Sequence, residues 1–159
     1  MSSLALIGLG SNLGDRRAMF EGAIAELAAT RGVQVLRVSS FHETEPVGGP
    51  PGQGTYLNAA AVLETRLDPV GLLRILQAIE TRFGRVRTVR WGERTLDLDL
   101  LLFGDRIIET AELTVPHPGL AERRFVLEPL AEIAPDAIEP RTGRTVSELL
   151  EALDKGAGS

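Results

Sequence analysis

The chain has 159 residues, of which 43% are hydrophobic and 25% charged, and its formal net charge is −5. This balance is typical of a globular domain, here expected to span residues 1–159, and the acidic sum argues against a general nucleic-acid binder. The absence of cysteine excludes disulfides, thiolate nucleophiles and cysteine metal sites. No apolar run reaches the roughly 20 residues that cross a bilayer, and no basic leader follows Met1. We therefore expect a cytoplasmic protein without a membrane anchor.

Hydrophobic periodicity divides the chain into strands and helices. In chain order we predict a strand over residues 5–9, a helix around 19–27 that stops at Gly32, strands over 33–39 and 56–65, a helix opened by Asp68-Pro69 and ended by Gly84, and a strand that carries Asp97 and Asp99. This β-α-β-β-α-β order is that of the ferredoxin-like α+β fold, an antiparallel sheet backed by two helices. Helical segments at 125–133 and 146–153 form a C-terminal extension that we expect to pack on the same domain.

Residues 85–103, with the sequence RVRTVRWGERTLDLDLLLF, carry the most informative chemistry. Asp97 and Asp99 share one face of the predicted strand, roughly 6–7 Å apart, because strand side chains alternate. Neighbouring carboxylates repel each other, so a divalent cation bound to an anionic substrate is the favoured occupant between them. The apolar run at 98–103 indicates a central, buried strand. The alternative is an edge strand that presents its acids to solvent.

Arginines concentrate in the segment before this strand. Arg85 and Arg94 flank the loop where it meets ordered structure, so they are placed to hold a phosphate. A solvated basic surface explains Arg87 and Arg90 equally well. Trp91, the only tryptophan, lies among charges, which favours covering a ligand over filling a core.

Three other patterns are less specific. His117 lies between two prolines and shortly before Arg123, which leaves anion binding and a surface role both open. Tyr56 and Asn58 share a strand face and offer a ring and an amide to a heterocycle. The glycine-rich stretch 8–14 fits neither G-x-G-x-x-G nor a P-loop, and it predicts a tight strand-to-helix turn capped by Asn12.

Together these segments resemble the 6-hydroxymethyl-7,8-dihydropterin pyrophosphokinases of folate biosynthesis. The matching strings are GLGSNLGD at 8–15, TEPVGG at 44–49, YLNAA at 56–60, QAIETRFGR at 77–85, RWGERTLDLDLLLFGD at 90–105 and LTVPHPGLAERRFVLEPLAEIAP at 113–135. They cover nearly the whole chain in order, and RWGERTLDLD is highly specific. The resemblance implies transfer of the terminal pyrophosphate of ATP to the hydroxymethyl group of the pterin, leaving AMP.

The resemblance also implies roles for individual residues. Asp97 and Asp99 would hold two Mg²⁺ ions, and Arg85 and Arg94 would stabilise charge on the phosphates. The implied ATP-binding residues are Gln77, Glu80, Arg87, Trp91, Leu100, Thr114, His117 and Arg123. The implied pterin-binding residues are Tyr56 and Phe125, which would stack on the ring, Asn58, which would bond its edge, and Thr44 and Val47, which would contribute backbone groups.

Three features depart from the family pattern. Glu112 stands where a basic residue is common near the ATP phosphates, Ala121 replaces a longer polar residue, and the arginine loop is one residue shorter than in some relatives. None of these changes removes a group with an implied catalytic role. ATP affinity and loop closure are the properties they would affect.

Two alternative functions are compatible with the predicted topology. Ferredoxin-like sheets also bind RNA, but aromatic residues make up only 4% of this chain, and two aspartates on a sheet face would repel an RNA backbone. A different hydroxymethyl heterocycle as the substrate is excluded only by the resemblance. We expect a monomer that binds ATP and the pterin, and neither nucleic acid nor a membrane.

Overall fold

The computed structural model describes residues 2–11, 16–44, 56–84 and 96–157. The first elements are β1 Ser3–Ser11, α1 Arg16–Ala28, β2 Val33–Val38, β3 His42–Thr44, β4 Tyr56–Thr65, α2 Pro69–Gly84 and β5 Leu96–Phe103. They are followed by β6 Ile108–Glu109, β7 Thr114–Val115, a 3₁₀ turn at Leu120–Glu122, α3 Arg124–Ile133, β8 Ile138–Glu139, β9 Arg144–Thr145 and α4 Val146–Ala157. The predicted β-α-β-β-α-β order is confirmed, with the short strand β3 as an addition.

The main sheet is antiparallel throughout. Its strands lie in the order β2–β4–β1–β5, and β3 pairs with β4 beyond the end of β2. β1 is therefore held on both sides, by β4 and by β5. With two helices on one face, this is the ferredoxin-like α+β arrangement that the sequence predicts.

Helices cover both faces of the sheet. The first core lies between one face and the helices α1 and α2, and it includes Ile7, Phe20, Leu63, Leu76 and Leu98. The second core lies between the other face and the helices α3 and α4, and it includes Leu6, Val62, Leu127, Leu130 and Leu149. The C-terminal extension thus packs on the sheet, as predicted. In the described part of the chain, no helix combines the length and apolar character that a membrane span requires.

A β-bulge explains the uninterrupted apolar run in β5. The pairing of β5 with β1 shifts by one residue at Leu101. Leu101 and Leu102 therefore both enter the second core, whereas Leu100 and Phe103 lie in the first. Consecutive leucines are buried here because the bulge turns two neighbours towards the same face.

β5 is an edge strand of the described sheet, so the prediction of a central strand is wrong. Within the described ranges it pairs with β1 alone. The apolar run is buried because helices cover both faces of the edge. Two backbone groups on the side of β5 that faces away from β1 also have partners. The Leu98 N–H donates to Glu80 Oε2 at 2.7 Å, and the Leu101 carbonyl accepts the His117 N–H at 3.0 Å.

Two glycines set the placement of α1. Gly32 has a φ of 88° in the turn between α1 and β2, where a side chain would be strained, although α1 itself already ends at Ala28. A Cβ on Gly22 would lie 2.7 Å from the ring of Phe83, so α1 and α2 approach closely at this point. Because Phe83 is in the last turn of α2, the contact fixes the helix end that precedes the arginine-rich segment.

Leu130 of α3 is fully buried, and Leu130→Ala should destabilise the fold. We expect the free energy of unfolding to fall by roughly 2–5 kcal/mol, because buried methylene groups are lost and a cavity remains. Leu36→Ala, at an exposed leucine of β2, is the matched control and should cost less than about 1 kcal/mol. Urea denaturation measures both changes. Equal losses would contradict the packing of α3 on the sheet.

Candidate functional site

The pairing register places a row of polar side chains and glycines on one face of the sheet. Gly10 of β1 lies between Asn58 of β4 and Asp97 of β5, and Gly8 lies beside Asp99 two residues further along. Directly paired residues project to the same face, and adjacent strands are about 4.8 Å apart. Asn58 and Asp97 therefore stand roughly 10 Å apart across a glycine that has no side chain. We call these five residues the glycine shelf.

The glycine shelf continues the surface of the second core. A Cβ on Gly8 would contact the Leu101 side chain at 3.4 Å, and Leu101 belongs to the core that α3 covers. Along the shelf the side chains become polar: Asn58 is only 6% exposed, Asp99 is half-buried and Asp97 is exposed. Polar side chains thus line the glycine shelf, and apolar side chains of the second core lie next to it.

Gly8 and Gly10 both belong to a strand, which confirms the predicted strand 5–9 at Gly8 and shows that a turn beginning within residues 8–11 is wrong. β1 continues to Ser11 and is paired on both sides, whereas the sequence predicts its end at residue 9. The predicted cap Asn12 lies outside the described residues. Sequence reasoning missed the role of these glycines, although glycines at i and i+2 in a strand can mark a close approach of a ligand.

Glu80 of α2 brings a third carboxylate to the outer edge of β5. Its Oε2 accepts the Leu98 N–H, the amide between Asp97 and Asp99. Burial raises the pKa of Glu80 to about 7; the Leu98 hydrogen bond opposes this shift, and the charges of Asp97 and Asp99 add to it. The charges of the two aspartates thus disfavour ionisation of Glu80, and a cation bound to them would reduce this repulsion.

His117 faces the same edge from the segment after β7. The Gly119 N–H donates to its Nδ1 at 3.0 Å, so the neutral ring carries its proton on Nε2. Burial lowers the pKa of His117, Asp99 opposes this effect, and the charge of Arg123 reinforces it. The lowered pKa favours a neutral imidazole that donates from Nε2 and lies near both Asp99 and Arg123.

The start of α3 adds a cation and an aromatic ring. The Arg123 guanidinium lies 6.0 Å from the centre of the Phe125 ring. A Cβ on Gly119 would come within 2.7 Å of Arg123 Nε, so a side chain at position 119 would displace the guanidinium from this place. Phe125 is 39% exposed, which leaves ring surface available for stacking on a ligand.

Two of the other implied ATP-binding residues in the described ranges lie on elements beside this edge, whereas the side chain of a third is buried in the first core. Gln77 is exposed on α2, one turn before Glu80, and Thr114 is half-buried in β7. Leu100 is buried in the first core, facing α1 and α2. Only its backbone is left for a ligand.

Several implied site residues lie outside the described residues, namely Val47, Arg85, Arg87, Trp91 and Arg94. Their roles stay predictions. Thr44 and Tyr56 lie at the described ends of β3 and β4, where they pair with each other. Tyr56 therefore precedes Asn58 by two residues on one strand, as predicted.

The departures at Glu112 and Ala121 both lie on the surface. Glu112 forms an ion pair with Arg74 of α2, and the two side chains are 47% and 64% exposed. Such a pair contributes little stability, but it gives the acidic residue a basic partner. Ala121 is exposed in the 3₁₀ turn.

Comparison with known sequences identifies close relatives. Residues 6–135 match the family described as 7,8-dihydro-6-hydroxymethylpterin-pyrophosphokinase. The chain is 49% identical over 150 residues to the 2-amino-4-hydroxy-6-hydroxymethyldihydropteridine pyrophosphokinase of Synechocystis, covering 94% of this chain and 76% of that one. It is 51% identical over 133 residues to the Bacillus subtilis protein of the same name, covering 84% and 79%.

Solved structures share the fold. Plasmodium falciparum HPPK-DHPS wild type with pteroate aligns with a TM-score of 0.72 and 14% identity, over 96% of this chain and 42% of that chain. HPPK-DHPS in complex with substrates aligns with a TM-score of 0.73 and 13% identity, over 97% and 44%. This chain thus spans less than half of those longer proteins, and at these identities the likeness establishes the fold alone.

Glu80→Gln should change how stability depends on pH. The folded protein retains the Glu80 proton up to about pH 7, whereas the ordinary pKa of the group is 4.5. Between these values the folded state binds more protons than the unfolded state, so the free energy of unfolding falls as pH rises. The glutamine variant lacks this contribution. The wild type should therefore lose stability relative to the variant across this window.

Chemical denaturation in EDTA, at pH values from 4.5 to 7, measures this difference. Gln77→Ala, which removes an uncharged side chain one turn earlier on α2, is the control, and its difference from the wild type should not vary with pH. A pH-independent difference for Glu80→Gln would contradict the raised pKa.

Proposed function

This chain belongs to the 7,8-dihydro-6-hydroxymethylpterin-pyrophosphokinase family, and we propose that its reaction takes place on the glycine shelf. The reaction is transfer of the terminal pyrophosphate of ATP to the hydroxymethyl group of 6-hydroxymethyl-7,8-dihydropterin, which leaves AMP, in tetrahydrofolate biosynthesis. One observation carries the placement: the register sets Asn58 and the two aspartates on opposite sides of a strip without side chains.

In this proposal the pterin binds on the Asn58 side of the shelf. An amide both donates and accepts hydrogen bonds, which matches the mixed donors and acceptors along a pterin edge. Glycine allows a flat ring to approach the β1 backbone closely. Phe125 and Tyr56 supply rings that stack on the pterin, and the backbones of Thr44 and Val47 complete its contacts.

ATP binds on the Asp99 side, between α2, β7 and the start of α3. The Nε2–H of His117 and the Arg123 guanidinium offer one neutral and one charged donor to phosphate oxygens. This pairing is supported by the lowered pKa of His117 beside Arg123. The nucleotide site is completed by Gln77, Glu80, Arg87, Trp91, Leu100 and Thr114.

The donor set at the shelf fits Mg²⁺. Carboxylate oxygens of Asp97 and Asp99 are ligands that a hard cation prefers, and their two like charges lie on one face of β5, where a cation would balance them. The described ranges contain no group of three or more acidic or histidine side chains that could by itself hold a metal ion. Two carboxylates suit Mg²⁺, which keeps waters and phosphate oxygens as ligands. Asp97 and Asp99 would hold two such ions, which would supply charge neutralisation at the phosphates and activation of the pterin hydroxyl.

The protein's own groups supply positioning and charge rather than a covalent intermediate. Asn58 and His117 hold the two substrates on opposite sides of the shelf, which orients the hydroxyl towards the β-phosphorus. Arg85 and Arg94 stabilise the charge that develops on the phosphates, and Trp91 covers the substrates and excludes water.

The RNA-binding alternative fits the shelf poorly, because its carboxylates would repel a phosphate backbone. The proposal includes a monomeric protein located in the cytoplasm.

An assay with ATP, Mg²⁺ and 6-hydroxymethyl-7,8-dihydropterin tests the proposed function, with nucleotides followed by chromatography. We expect AMP only when both the metal and the pterin are present, since the transferred group is pyrophosphate. Reactions without pterin, or with EDTA, are the controls. ADP as the product, or AMP formed without pterin, would contradict the proposed reaction.

Asp97→Asn and Asp99→Asn should each lower turnover by at least about 10²-fold, because a charged ligand to the catalytic cation is replaced by a neutral amide. Asp105→Asn, at an exposed carboxylate in the turn after β5, is the matched control and should keep parental activity. Circular dichroism verifies that all three variants fold. Near-parental turnover of either shelf variant would disprove the two-aspartate metal site.

A further inference from the structure

A cluster of polar side chains ties the start of β3 to the end of α3. Glu132, in the last turn of α3, accepts hydrogen bonds from the N–H and the hydroxyl of Ser40, both at 2.8 Å, and from His42 Nε2 at 2.9 Å. One residue further on, the Ile133 carbonyl accepts a hydrogen bond from Arg37 of β2 at 2.8 Å. We call Ser40, His42 and Glu132 the β3 clip. The sequence gives His42 no more than a structural role.

The β3 clip adjoins the pterin side of the glycine shelf. His42 pairs directly with Asn58 across β3 and β4, so both side chains project to the same face. Glu132 and Phe125 are seven residues apart on α3, so they lie on one side of the helix, about 10 Å apart along its axis. The clip therefore joins the strand residue beside Asn58 to the helix that carries Phe125.

Charge strengthens the hydrogen bonds of the clip. The Ser40 N–H is the largest cause that lowers the pKa of the Glu132 carboxyl, followed by His42 and the Ser40 hydroxyl. Glu132 is thus a carboxylate at neutral pH, and hydrogen bonds to a charged acceptor are stronger than neutral ones. The side chains of His42 and Glu132 are 30% and 39% exposed, so the clip adds modest global stability, and its main effect is on local geometry.

We propose that Ser40, His42 and Glu132 are positioning residues that set the separation of Asn58 and Phe125, and so act on pterin binding without touching the substrate. This inference rests on the proposed function of the shelf. Without the clip, the end of α3 and the start of β3 lose three hydrogen bonds that hold them together. The ATP side has separate anchors, because Glu80 bonds Leu98 and His117 bonds Leu101. Loss of the clip should therefore affect the two substrates unequally.

His42→Ala and Glu132→Gln should each raise KM for the pterin about fivefold, since each weakens a hydrogen bond to a charged group, while KM for ATP and kcat stay within about twofold. His42→Gln retains an N–H close to the position of Nε2 and should restore the pterin KM to within about twofold of the parent. Glu64→Gln is the matched control, because it changes a carboxylate that accepts from Ser2, far along β4 from Asn58. Its pterin KM should equal that of the parent.

Calorimetric titration of the pterin, with Mg²⁺ and a non-hydrolysable ATP analogue present, separates this proposal from the proposed function. Wild type that binds the pterin but forms no AMP disproves the reaction, and the relative pterin affinities of the variants then decide the role of the clip. Equal rises in both KM values, or unchanged pterin affinity in His42→Ala and Glu132→Gln, overturn the positioning role. Urea denaturation identifies any variant that is unfolded. If His42→Ala does not fold, Glu132→Gln, which preserves the shape of the side chain, still tests the positioning role.

Discussion

The double pairing of β1 is the constraint on which the site depends. This one strand sets the register of β4 and of β5, and so aligns Asn58, Gly10 and Asp97 in a single row. A slip of β5 by one residue would turn both aspartates into the first core and place leucines on the shelf. The alternation of leucine and aspartate prevents this slip, because the slipped register would expose apolar surface and bury charge. The pattern that stabilises the fold therefore also positions the carboxylates.

The helix layers on the two faces of the sheet pack on different parts of it. Helices α1 and α2 pack on the face that holds Ile7, Leu63 and Leu98. On the other face α3 and α4 cover one end of the sheet, and the glycine shelf occupies the part beyond them. Helix α3 links these regions, since Leu127 and Leu130 pack in the second core while Phe125 lies exposed at its start.

Regular periodicity predicted most of the fold because burial on one face leaves a clear pattern in a strand or helix. The edge position of β5 was not predictable, since an edge strand covered by helices on both faces has the same apolar run as a central strand. The strand conformation of Gly10 was missed because glycine is more common in turns. The shared face of Asp97 and Asp99 followed from alternation alone. Contacts such as that of His42 with Glu132, 90 residues later, leave no local signal.

The resemblance, rather than periodicity, brought Glu80 and Thr114 into the predicted site. Both residues look ordinary in their own segments, and their proximity to the aspartates depends on how α2 and β7 pack against β5. Sequence alone therefore gave the chemistry of the acidic strand. It did not give the surroundings that shift the pKa of Glu80 and His117.

The covered edge of β5 has a consequence for how the protein behaves at high concentration. An exposed strand edge invites a second chain to add a strand, which leads to aggregation. Here Glu80 occupies the Leu98 N–H and the His117 N–H occupies the Leu101 carbonyl, so two groups that such an intruding strand needs are already engaged. The Glu80 side chain and the backbone N–H of His117, both beside the proposed nucleotide site, thus also protect this edge of the sheet from self-association.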